Sequence, residues 1–130
     1  MSFLLDSDIV ILVLSGDLAT SAYLGQLAPE GIAISTVTYM EVVQGIMAVD
    51  DPRAAEREFE AFLESAQVIP FSQAIARQCA ELRLDLARSG KRVRPRALDL
   101  MVAATALHHG MRLVTRNVAD YADVPGLTLA

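Results

Sequence analysis

The 130-residue sequence predicts an α/β domain: a central, mostly parallel sheet covered by helices on both faces. Short apolar runs alternate with longer helical segments along the chain. The runs are continuously apolar rather than alternating, as strands buried on both faces must be. The segment from about Ala97 to His109 is apolar nearly all round, as a helix sandwiched within a domain must be. No repeat, linker or change of composition divides the chain, so residues 1–130 read as one domain.

Phe3-Leu4-Leu5 is the first strand. Asp6-Ser7-Asp8 follows, with side chains suited to satisfy the free backbone N–H groups of a helix start, and Gly16-Asp17 ends that helix. A second helix runs from about Leu18 to Leu27 and is broken by Pro29 and Gly31 before the strand Ile32-Ala33-Ile34. Ser35 to Ala48 reads as a helix in which Thr38 and Glu41 have the spacing of a capping box. After Asp51-Pro52, the residues Phe59, Phe62, Leu63 and Ala66 form one stripe of helical period, and Val68-Ile69-Pro70 is a third strand. A long helix from about Gln73 to Arg88 stops at Ser89-Gly90. Gly110 caps the apolar helix, Met111 to Thr115 is a fourth strand, and Arg116 to Asp123 is a loop with a helical turn. Gly126 to Leu129 is expected to close the sheet.

Hydrophobic residues make up 53% of the chain and charged residues 21%, the balance of a globular protein with a core of its own. The net charge of −5 gives no general attraction to nucleic acid, so any such binding must be local. Arg88, Lys91, Arg92, Arg94 and Arg96 crowd one segment, which is either a solvated loop or a phosphate contact. The single Cys79 continues the apolar series Ile75, Cys79, Leu82, Leu86 and reads as a buried hydrophobe. The early run Ile9–Leu14 falls far short of the ~18 residues of a membrane span, and a cytoplasmic protein is expected.

Asp6, Glu41, Asn117 and Asp120 each follow an apolar run, and Asp99 opens the helix that leads into the fourth strand. In an open parallel sheet these positions can converge at the carboxyl ends of the strands. Carboxylates about 5 Å apart repel by roughly 3 kcal/mol at an effective dielectric near 20, so a hard divalent cation is the natural companion of such a group. Taken singly, each has a structural reading as well: Asp6 as a helix cap, Glu41 as the partner of Thr38, Asp99 as complement to its helix dipole, Asp120 as a solvated turn residue.

Four segments together resemble a known family. Leu4-Leu5-Asp6-Ser7-Asp8, Ser35 to Val42, Asp99 to Ala106, and Leu113-Val114-Thr115-Arg116-Asn117-Val118-Ala119-Asp120-Tyr121 are similar, in this order, to PIN-domain ribonucleases, and most of all to VapC-type toxins of bacterial toxin–antitoxin pairs. The resemblance implies a PIN-like fold, a Mg²⁺ or Mn²⁺ ion, endonucleolytic cleavage of RNA, a homodimer and silencing by an antitoxin protein. Carried over by position, it makes Asp6 and Asp99 the principal metal ligands, Glu41 a further ligand or support, and Asn117 with Asp120 the remaining polar contribution. Thr115 holds that cluster or meets the substrate. Many relatives carry an acid where this chain has Asn117 and a neutral polar residue where it has Asp8; Asp8 either adds charge to the site or caps the first helix, and the cap is the expectation.

The expected chemistry is attack of a metal-activated water on an RNA phosphodiester, leaving 5′-phosphate and 3′-hydroxyl ends, with Arg94, Arg96 or Arg116 drawing the strand in. Two other readings stand beside it. A PIN-like module without turnover would bind RNA or protein only. A strand followed by Asp6-x-Asp8 also suits a phosphatase that forms an aspartyl phosphate, although Lys91, the one lysine, has no matching place.

Overall fold

The computed structural model describes residues 2–130. Four parallel strands form one sheet in the order β3-β2-β1-β4: β1 is Phe3–Leu5, β2 Ile32–Ser35, β3 Ala66–Ile69 and β4 Arg112–Val114. Phe3 and Leu4 stand beside Ile32 and Ala33 on one side, and beside Arg112 and Leu113 on the other. Seven helices accompany the sheet: α1 Ser7–Leu14, α2 Leu18–Leu27, α3 Thr36–Met47, α4 Pro52–Leu63, α5 Gln73–Arg88, α6 Ala97–His109 and the short α7 Val118–Tyr121.

Strand side chains alternate between the two faces, and here both faces are buried. Leu4, Ala33 and Leu113 point into one core with Ile75, Cys79, Leu82 and Leu86 of α5 and with α6. Phe3, Leu5, Ile32, Ile34 and Val114 point into the other, against α1 to α4. Continuous apolar strands are therefore the direct consequence of a sheet covered twice. Helix α6 is the most enclosed helix, with Leu100, Ala103, Ala104 and Ala106 wholly buried; its small residues let it lie close to the sheet. Gly110 ends it in the left-handed region at φ 63°, a conformation that costs a residue with a Cβ.

Local details differ from the sequence reading. Helix α3 is capped by Ser35, whose hydroxyl accepts from the Thr38 N–H at 3.0 Å, so Thr38 lies within the first turn and Glu41 is no capping partner. The third strand begins at Ala66, which leaves the α4 stripe, and ends before Pro70, which has no N–H to give a ladder. The expected closing strand reduces to a single bridge of Leu129 to Leu113, past the Pro125-Gly126 turn.

Replacing Leu100 by Ala in α6 is expected to lower the unfolding free energy by about 3 kcal/mol. Urea titration followed by circular dichroism should show a lower midpoint with an unchanged slope. An unchanged midpoint would mean that α6 is not the keystone of the packing.

Candidate active site

From β1 the chain steps outward to β2 and β3, then returns to place β4 on the other side of β1. The strand order reverses between β1 and β4, and the crevice beyond such a switch point is where open sheets bind ligands. Asp6 leaves β1 there. Its backbone N–H donates to the Val114 carbonyl at 2.9 Å, and its extended backbone (φ −74°, ψ 161°) makes it the N-cap of α1. Thr115 and the residues after it leave β4 at the same edge.

The Asp6 carboxylate is 4% exposed and takes three donors. Oδ1 accepts from the Ser7 N–H at 2.9 Å, while Oδ2 accepts from the Thr115 hydroxyl at 2.8 Å and the Tyr121 hydroxyl at 3.0 Å. The same Tyr121 hydroxyl lies 3.3 Å from Oδ1 of Asp99, in the first turn of α6. Two acids distant in the chain thus flank one phenol. Glu41, half-buried on α3, faces the same charges.

The electrostatics are those of crowded carboxylates losing water. Asp6 is raised above its ordinary value by burial and by the charge of Asp8, against the pull of Thr115, Ser7 and Tyr121. Glu41 is raised by burial and by Asp6, Asp99 and Asp8, with the Ser7 hydroxyl opposing. Asp99 is raised by burial and by Asp120 and Asp8, while Tyr121 and Arg96 oppose. The Tyr121 hydroxyl is pushed far up, first by burial and then by both aspartates, so it remains a protonated donor.

These residues fit a hard divalent cation. All the donors are oxygens, their charges repel, and Oδ1 of Asp8 is shielded from solvent with no hydrogen-bond partner. Among the described residues no three His, Cys, Asp or Glu side chains form a ready cage.

The other sequence candidates divide. Thr115, considered for substrate, instead turns its hydroxyl to Asp6 and accepts the Asn117 N–H at 3.0 Å. Asn117 is exposed and gives the site its backbone rather than its amide; Asp120 is exposed but close enough to act on Asp99. Asp8 is not the cap of α1. Its Oδ2 accepts the Arg116 N–H at 2.9 Å and ties α1 to the segment after β4. Arg96 is not free for RNA: both its terminal nitrogens bind the Asp123 carboxylate, at 2.9 and 2.6 Å, and one also donates to the Asp120 carbonyl. Arg94 and Arg116 remain exposed, and Arg116 lines an open cavity of about 360 Å³ with Tyr23, Asp17 and Ile9. Sequence reasoning passed over Tyr121 and Ser7. The one sign of Tyr121 was an aromatic residue in an otherwise polar turn.

The PIN domain family model matches residues 3–127. The tRNA(fMet)-specific endonuclease VapC of Shigella flexneri is 30% identical over 127 residues, covering 98% of this chain and 95% of that protein. Ribonuclease VapC5 of Mycobacterium tuberculosis is 32% identical over 124 residues, with 94% and 87% covered. Among solved structures, VapBC2 from Rickettsia felis, bound to a DNA fragment from its promoter, superposes with a TM-score of 0.91 at 25% identity, covering 100% of this chain and 98% of that one.

The raised carboxylates carry a prediction for metal-free protein. Their folded values exceed the unfolded ones, so the folded state holds protons more tightly, and stability present below about pH 4 is lost as pH rises through the raised values. Asp99→Asn removes one charge and leaves a carbonyl for Tyr121. In EDTA the variant should melt with the parent at about pH 4 and a few degrees above it at pH 7. Calorimetric scans across this range check it, and a variant melting lower at pH 7 would contradict the repulsion.

Proposed function

The chain belongs to the PIN-domain family, and from that premise we propose that it is a divalent-metal-dependent endoribonuclease, the toxin of a toxin–antitoxin pair, acting as a single domain over residues 1–130. The observation that carries the reading is the meeting of Asp6 and Asp99 on one hydroxyl at the switch point, with Glu41 facing them. Named relatives that match along nearly their whole length are ribonucleases, which supports the activity.

Asp6 and Asp99 would hold a Mg²⁺ or Mn²⁺ ion, with Glu41 supporting it through its water shell, and the ion would supply an acidified water and neutralise charge on the phosphate. Thr115 and the Ser7 N–H keep Asp6 in one orientation, so little rearrangement is needed when its charge is used. Glu41, half-buried on α3 and facing both aspartates, is suited to orient the attacking water and take its proton. Arg116 and Arg94, both exposed, are the cations that would meet the RNA backbone, Arg116 from the segment that Asp8 ties to α1. The products are 5′-phosphate and 3′-hydroxyl ends.

An apolar groove of about 290 Å³ between α1, α3 and α4, lined by Ile11, Leu14, Val42, Ile46, Val49 and Ala55, suits an antitoxin helix. Structural neighbours solved as VapBC complexes support such a partner, and a homodimer is proposed with it. Among the described residues no helix is long and apolar enough to cross a membrane.

Loss of a partner that only orients a metal ligand costs 10–100-fold, so loss of a ligand must cost more. Asp6→Asn and Asp99→Asn should each slow Mg²⁺-dependent cleavage of purified RNA by more than roughly 100-fold. Cleavage at the parent rate in either variant would end the assignment. Arg116→Ala should raise KM and flatten the logarithmic salt dependence of RNA binding by about one unit, as loss of one phosphate contact requires. A slope unchanged in fluorescence anisotropy would place the RNA elsewhere.

A further inference from the structure

The two aspartates of the site are secured unequally. Asp6 has the Ser7 N–H, the Thr115 hydroxyl and the Tyr121 hydroxyl. Among the described residues Tyr121 is the one hydrogen-bond partner of the Asp99 carboxylate. Asp99 needs such a partner more than Asp6 does, because it is less buried and sits on a helix turn where its side chain has room to rotate. We propose that Tyr121 is the positioning residue of the metal site: its hydroxyl fixes the Asp99 carboxylate at a set separation from Asp6 before any cation arrives, and so determines how tightly the ion is held. The inference rests on the metal-dependent reading above.

The geometry supports this in three ways. The Tyr121 ring is 1% exposed and packed in the core shared by Leu4, Leu100 and Leu113, so the hydroxyl is delivered from a rigid base. Helix α7 is a single turn, whose place is fixed by Arg96 gripping the Asp120 carbonyl and Asp123 on either side of Tyr121. Arg96, from the cationic segment read as either a solvated loop or a phosphate contact, thus buttresses the tyrosine. Finally, a phenol carries one proton, so it donates to Asp6 or to Asp99 at any instant. The fold leaves the pair short of one donor, a shortfall that a cation held by these two residues would make up. Tyr121 therefore preforms the pair without saturating it.

The test is Tyr121→Phe, which keeps the ring. Titration calorimetry with Mn²⁺ as probe should show a Kd weakened by about 10–100-fold, the usual loss when an outer partner of a metal ligand is removed. The Mn²⁺ concentration for half-maximal RNA cleavage should rise by the same factor. A merely structural tyrosine would lower the melting temperature and leave the Kd in place. The chain has three tyrosines and no tryptophan, so near-ultraviolet difference spectra supply a second readout that needs no Tyr121 variant. Mn²⁺ should perturb the tyrosine absorption of the parent, and of Tyr23→Phe and Tyr39→Phe equally. An unchanged Kd in Tyr121→Phe, or a parent spectrum blind to Mn²⁺ while calorimetry records binding, overturns the proposal alone. A parent that binds no Mn²⁺ and cuts no RNA overturns both this inference and the function beneath it.

Discussion

The structure turns on the confinement of like charges. Asp6, Glu41 and Asp99 are brought to one crevice and partly stripped of water, and the fold sets neutral hydroxyls rather than a lysine or arginine against them. A fixed protein cation there would relieve the repulsion permanently and remove the attraction for a metal. Thr115 and Tyr121 relieve it only in part, by donating protons that carry no net charge. The nearby guanidinium of Arg96 is spent on Asp123 instead, at the margin of the cluster.

Everything else in the architecture serves to hold that crowd together. A doubly covered sheet is stiff, and the three chain segments that meet at the crevice leave it from adjacent strands or from the helix packed beneath them. β1 delivers Asp6 as a helix cap, β4 delivers Thr115 one residue past its end, and α6 brings Asp99 back to the same edge by running opposite to the strand that follows it. The bond from the Arg116 N–H to Asp8 joins the two loops across the switch point. The small residues of α6 that allow close packing on the sheet also govern how far Asp99 stands from Asp6.

Much of this was legible in the chain. Apolar runs with no polar alternation identified strands buried on both faces, and turn residues such as Asp17, Pro29, Asp51 and Gly110 fixed helix boundaries, because these signals are local. Carboxylates at the ends of apolar elements pointed to the acid cluster for the same reason. What escaped depended on contacts between distant segments. An arginine in a basic loop is indistinguishable from a phosphate ligand until Asp123 is seen to hold it. Asp8 read as a cap because its other partner, the Arg116 N–H, lies at the far end of the sequence. Tyr121 read as an ordinary neighbour of Asp120, since nothing in its own surroundings shows that a buried ring would carry its hydroxyl back to β1.

That return has a bearing on how the chain comes into being. Asp6 is made early and waits for Thr115 and Tyr121, which are made late, and β1 lacks its β4 neighbour for the same interval. Segments emerge from a ribosome in order and settle as their partners appear. The buried carboxylate of Asp6 therefore gains its two hydroxyl partners, and the crevice its second wall, only after synthesis has passed the fourth strand.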